Sequence, residues 1–262
     1  GSTLLPIANP ANLIFFAGGM PPLRAWLAAF GLATIAALAC TYLALVFIFR
    51  RDLGPPLRVN DGNGTAPRRA ASVTLVAAAL ILVATAELQR PLGATTFVLA
   101  IAAMLVGTSR DRAAPLAIAR GVAWPVVLLT AGLFVIVEAL DRAGAAGLTR
   151  AVFAWAASVP APVAKLTVAG AAAAASNLIN NLPVSLELGG YVAHAHPSPP
   201  LAAAALAGVN VGPNFSVTGS LATLLWLAIL RRAGVRVSAL RFAGVGIVAT
   251  PLALATAALL AR

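Results

Sequence analysis

Residues 208–227 read GVNVGPNFSVTGSLATLLWL, and the reading of this stretch decides the fold. It lies in an apolar segment long enough to cross a bilayer, yet its middle carries Asn210, Gly212, Pro213, Asn214, Ser216, Thr218, Gly219, Ser220 and Thr223. Proline removes a backbone donor and glycine loosens a helix, so a break is expected over 212–219. Freed backbone groups are tolerated at membrane depth only where protein or a water-filled cavity satisfies them. Transporters place solute and ion sites at such breaks. A kinked structural helix with Ser/Thr contacts to its neighbours is the plainer alternative.

The whole chain supports a membrane setting. Of 262 residues, 61% are hydrophobic and 10% charged, against roughly 25% charged in soluble domains. Mean hydropathy is +0.95. The net charge of +11 comes from arginines clustered in short loops between apolar spans. That is the positive-inside topology signal and not a nucleic-acid footprint. Lys165 is the one lysine, and no basic stripe is interleaved with aromatics. One cysteine, Cys40, excludes an internal disulfide framework or thiol metal cluster; it reads as a small apolar filler. Two histidines, His194 and His196, are too few for a closed zinc site and read as solvated loop residues. No hydrolase, zinc-protease or P-loop motif occurs, so no enzyme and no cofactor is expected.

Working outward, apolar spans are expected at 26–49, 72–88, 92–107, 121–140 and 242–260, with an amphipathic interfacial helix at 143–159. A polar linker over 50–71, carrying the Asn63-Gly64-Thr65 sequon, joins two halves. Segments 161–176 and 182–194 are short, about 24 Å and 20 Å at ~1.5 Å per residue. Between them lies Ser176-Asn177-Leu178-Ile179-Asn180-Asn181-Leu182-Pro183. This pattern predicts a re-entrant hairpin with a polar tip, a full span plus a surface loop being the alternative. Treating the hairpin as non-crossing puts twelve arginines, in 50–71, 108–120 and 231–241, on one side against five on the other. The first side is then cytoplasmic.

Residues 1–15, GSTLLPIANPANLIF, align with 212–226, GPNFSVTGSLATLLW. Gly1, Ala11 and Leu13 match Gly212, Ala222 and Leu224, and Thr3, Asn9 and Asn12 fall on Asn214, Ser220 and Thr223. Four spans and one hairpin between the two breaks give them opposite directions, a signature of secondary transporters with the site between repeats. The expected architecture is therefore an all-α polytopic inverted-repeat transporter. Residues 1–49 close the first repeat and 72–262 form the second; a partner hairpin is expected upstream of Gly1, in roughly 150 further residues. Asn9-Pro10-Ala11 is also the aquaporin tripeptide, but the second repeat reads Ser220-Leu221-Ala222 and the hairpin fits that fold poorly.

With those residues in view, the chain resembles the ion transporter superfamily, and within it the arsenite/antimonite efflux membrane proteins of the ArsB type. The 176–183 run resembles that family's hairpin tip. Gly212-Pro213-Asn214 with Thr218-Gly219-Ser220-Leu221-Ala222-Thr223-Leu224-Leu225-Trp226 resembles its broken helix. Leu5-Pro6-Ile7-Ala8-Asn9 and Asn12-Leu13 resemble the first repeat's break. The resemblance implies export of arsenite or antimonite across the inner membrane, driven by the proton gradient, sometimes with a soluble ATPase partner. A homodimer is left open. Rival readings are a sodium-coupled carboxylate or other anion carrier, a sodium/proton antiporter, and a non-transporting membrane fragment.

Arsenite at neutral pH is mostly an uncharged trihydroxide, which needs hydrogen-bonding groups more than a counter-charge. Asn, Ser and Thr supply them without burying an ion. The candidate solute-binding residues are Asn177, Asn180, Asn181, Gly212, Asn214, Thr218, Gly219 and Ser220 from the second repeat, with Ser2, Thr3, Asn9 and Asn12 from the first. Glu187, on the second hairpin arm, is the candidate for proton coupling. Glu87 and Glu138 sit near span ends, where an interfacial role is expected.

Overall fold

The computed structural model describes residues 2–52, 65–88, 90, 92–108, 116, 120–122 and 124–262. Gly1, linker residues 53–64 with Arg58 and the Asn63-Gly64 pair, Pro91, Arg110 and Arg112 lie outside the described residues. Among the described residues every regular element is helical. A 3-10 turn (Pro6–Ala8) leads into α1 (Pro10–Phe15) and α2 (Leu23–Phe49). Next come α3 (Thr65–Glu87), α4 (Leu92–Thr108), α5 (Trp124–Arg142), α6 (Ala145–Ala156), α7 (Ala161–Ile179) and α8 (Asn181–Ala195). α9 (Pro199–Val211) runs into a second 3-10 turn (Gly212–Phe215), followed by α10 (Leu221–Arg232) and α11 (Ala239–Leu260). Among the described residues, three helices are long and apolar enough to cross a membrane, Leu23–Phe49, Ala161–Ile179 and Ala239–Leu260.

The chain forms two compact units, residues 1–50 with 123–262, and residues 51–122. In the smaller unit α3 packs on α4. Its large apolar side chains, such as Leu75, Leu80 and Phe97, are exposed, as on a lipid-facing surface. α3 begins at Thr65, inside the stretch expected to be linker up to 71. Residues 65–71 read TAPRRAA, rich in helix-forming Ala and Arg, and a proline is tolerated in a helix's first turn.

In the larger unit the closest packing uses small residues, as membrane helices must when lipid is as apolar as leucine. Ala169 and Ala172 of α7 lie against Gly208 of α9, Ala169 clusters with Ala204, and Ala173 lies against Gly212 just beyond α9. Ala37 of α2 meets Ala253 and Ala257 of α11. Larger side chains, Phe15, Trp26, Phe30, Leu182 and Leu206, fill the rest of the core.

The chain reverses between α7 and α8, with one boundary differing from the sequence expectation. α7 continues to Ile179 and not to 176, because Asn177 turns its amide back onto the Ala173 carbonyl (2.8 Å) and the helix carries on. Its 19 residues reach about 28 Å, so the first arm is not short. What marks the hairpin is the reversal at Asn180, which sits at φ 80° and ψ 151°. Beyond it, α8 returns to α6, the helix that precedes α7. Tyr191 stacks on Phe153 with ring centroids 4.6 Å apart, and Thr149 donates to Glu187 at 3.0 Å.

Candidate functional site

The first break is an irregular run, Ser2–Leu5, ahead of the 3-10 turn and α1. Pro10 occupies the first position of α1, where a missing N–H costs nothing. Asn9 caps that helix, its Oδ1 accepting from the Ala11 amide at 3.0 Å. The second break, over 212–220, ends the same way, with Ser220 Oγ accepting from Ala222 N at 3.2 Å. Asn9 and Ser220 are the residues that the internal alignment pairs. Trp26, fully buried, donates its indole N–H to the Thr3 carbonyl at 2.9 Å, and Thr3 Oγ1 bonds Thr34 Oγ1 at 2.7 Å.

Asn210 joins the two breaks. Its Oδ1 accepts from Asn9 Nδ2 at 2.8 Å, and its Nδ2 donates to Asn12 Oδ1 at 2.8 Å and to the Leu206 carbonyl at 3.0 Å. Asn12, with no exposed surface, donates in turn to the Ser2 carbonyl at 2.9 Å. These side chains hold one break against the other.

The hairpin tip docks on the second break. Asn177 Nδ2 donates to the Gly212 carbonyl at 2.8 Å, Asn180 Nδ2 to the Thr218 carbonyl at 2.9 Å, and the Asn181 amide to the Gly219 carbonyl at 2.9 Å. Thr218 Oγ1 returns a bond to the Asn177 carbonyl at 3.2 Å. Freed carbonyls of the second break are thus satisfied by two asparagine side chains and one backbone amide, as membrane depth requires. Gly212 lies against Ala173, and a Cβ on Gly219 would stand 2.6 Å from the Pro213 carbonyl oxygen. Three tip oxygens keep no hydrogen-bond partner among the described residues, Ser176 Oγ, Asn177 Oδ1 and Asn181 Oδ1.

Between the breaks lies a cavity of about 150 Å³, lined by Ser2, Thr3, Thr34, Thr41, Asn210 and Asn214 together with apolar groups. Its lining carries no charged side chain. Of the residues predicted from sequence, Ser2, Thr3 and Asn214 line it. Asn9 and Asn12 stand behind it through Asn210. Asn177, Asn180, Asn181, Gly212, Thr218 and Gly219 form the hairpin dock, and Ser220 is a helix cap. Glu187 lines a separate cavity of about 530 Å³ with Glu138, Arg150, Tyr191 and His194. Lys165 caps the end of α11, donating to the Leu259 and Ala261 carbonyls at 3.0 and 2.6 Å. His194 Nδ1 lies 2.7 Å from the Gly190 carbonyl, and no cluster of metal-ligating side chains occurs among the described residues.

Sequence reading missed Thr34, Thr41 and Trp26 as parts of the site, and left Asn210 out of the binding set. The threonines carried a signal: seven residues apart on an apolar span, they share one helix face.

A family model described as citrate transporter matches residues 1–211. The arsenical pump membrane protein of Escherichia coli strain K12 is 30% identical over 147 residues, 54% of this chain and 34% of that relative. The arsenical pump membrane protein of Yersinia enterocolitica is 27% identical over 242 residues, 87% of this chain and 56% of that relative. The chain therefore spans between about a third and a little over half of the relatives' length. No solved structure matches it. With its apolar helices and this extended match, the chain belongs to the citrate transporter family of multi-pass membrane proteins.

Proposed function

We propose that the protein containing this chain is a secondary active transporter of the inner membrane that exports arsenite or antimonite, coupled to the proton gradient. The observation that carries the reading is the uncharged polar cavity between two broken helices. Its 150 Å³ equals about five water molecules at ~30 Å³ each. That suits a small inorganic hydroxide better than a drug-sized ligand, whose pockets run to roughly 300–1,000 Å³. Hydroxyls and amides can both donate to and accept from an uncharged trihydroxide. The relatives named as arsenical pumps support the same solute. The two breaks, capped alike at Asn9 and Ser220, support the inverted-repeat division into 1–49 and 72–262, with 50–71 as a cytoplasmic linker. A soluble ATPase partner is part of the proposal only as the resemblance implies it.

Glu187 is the coupling group in this reading. It is half-buried and held by Thr149, in a cavity with a second carboxylate, an arginine and a histidine. Glu187→Gln should abolish proton-driven export while leaving the protein folded, as read by proton-gradient-driven arsenite flux and by thermal unfolding in detergent. Unchanged flux would remove Glu187 from the mechanism.

A second reading, a sodium-coupled carboxylate carrier, is favoured by the family description and by the unpaired tip oxygens, which a monovalent cation would satisfy. Cells sensitised to arsenite and expressing the full-length protein separate the two. Faster arsenite loss supports efflux. Sodium-dependent citrate accumulation with no effect on arsenite overturns it.

A further inference from the structure

A second cavity, of about 540 Å³, opens between α2, α10 and α11. It shares two lining residues, Thr41 and Asn214, with the small cavity between the breaks. The two spaces therefore meet at the one exposed asparagine of the second break. The larger cavity is mostly apolar, but its ends are not. Arg236 and Arg241, both exposed, line it, and no acidic residue does. They belong to the 231–241 arginine cluster that the positive-inside rule places at the cytoplasmic face.

Its deep wall holds an unexplained polar atom. Thr250 is 2% exposed, lines the cavity, and its Oγ1 makes no hydrogen bond. Threonines on neighbouring helical positions behave otherwise: Thr41 donates to the Ala37 carbonyl at 2.8 Å and Thr256 to the Leu252 carbonyl at 2.8 Å. A buried hydroxyl left unpaired costs free energy unless a ligand or water meets it.

We propose that this cavity is the cytoplasmic antechamber of the transport site, through which a small oxygen-rich solute, a metalloid hydroxide or a carboxylate, passes, with Thr250 Oγ1 as a contact on the way to Asn214. The inference rests on the transport reading and adds to it a route, a side of entry and a solute-contacting residue. The arginine rim tells the two solutes apart. A carboxylate is gathered by its field, whereas an uncharged trihydroxide passes it unaided.

The test uses full-length protein in everted vesicles, which expose the cytoplasmic face. Thr250→Val keeps the shape and removes the hydroxyl. It should raise KM about fivefold for the transported solute, the effect of one lost hydrogen bond, without lowering thermal stability. In Arg236→Gln with Arg241→Gln, KM should rise several-fold and become insensitive to salt if the solute is citrate. It should stay within about twofold of wild type if the solute is arsenite. In a Cys40→Ala background, a cysteine at 250 should react with a membrane-impermeant thiol reagent and be protected by arsenite or by citrate. One at Ala253, 1% exposed in the α2–α11 seam, should not react. A protein that moves neither solute overturns the transport reading, and labelling at 250 still judges the antechamber. Unchanged kinetics in Thr250→Val, or a cysteine at 250 that never reacts, overturns the antechamber.

Discussion

At the scale of single residues, Asn210 and Asn214 show how one residue type does two jobs four positions apart. Both N–H groups of Asn210 are engaged and its oxygen accepts from Asn9, so it has little left to offer a solute. Asn214 is exposed at the junction of two cavities and its side chain makes no hydrogen bond to the described residues. The two alanine variants should therefore fail differently. Asn210→Ala leaves the Asn9 and Asn12 amides without their partner, at about 1–3 kcal/mol for each buried group left unsatisfied. Its signature is a lower unfolding temperature in detergent. Asn214→Ala should unfold at the wild-type temperature and lose about five- to tenfold in transport, the worth of one good polar contact. The reverse pattern would exchange their roles.

At the scale of elements, the hairpin and the second break are one interlocked unit, closed by the Asn177, Asn180 and Asn181 bonds to the facing backbone. Gly219→Ala probes that lock, since the new methyl would stand 2.6 Å from the Pro213 carbonyl oxygen and 2.9 Å from Asn177 Oδ1. Overpacking of this kind costs about 1–3 kcal/mol, so lower stability and lost flux should appear together. Much of this level was legible in the chain. Gly, Pro and Asn at membrane depth announce irregular backbone, and 212–220 and Asn180 are irregular. The end of α7 was not legible, because a polar run reads as a tip while Asn177 in fact bonds its own helix. Nor were the cavities. Thr34, Thr41, Asn210 and Thr250 become neighbours of one path only through the packing of α2, α9 and α11, which periodicity does not encode.

At the scale of the larger unit, a re-entrant reading of the reversal at Asn180 predicts which loops share a face of the membrane. Residues 157–160 and 196–198 flank the outer ends of α7 and α8, whereas 233–238 follows α9 and α10, which on this reading make a single crossing. In a Cys40→Ala background, cysteines at Ser158 and His196 should react with an impermeant reagent from the same side, and one at Gly234 from the other. Labelling of 158 and 196 from opposite sides would make α7 and α8 together a single crossing and remove the hairpin. The Asn9–Asn210–Asn12 link bears on how such a protein can work. It ties positions about 200 apart in sequence at the middle of the fold through two direct amide pairs. Alternating exposure of a solute to two compartments needs one part to slide or tilt past another. Parting the broken helices would sever both amide pairs at once, so under the proposed transport reading they are expected to travel together, with the gliding surface elsewhere.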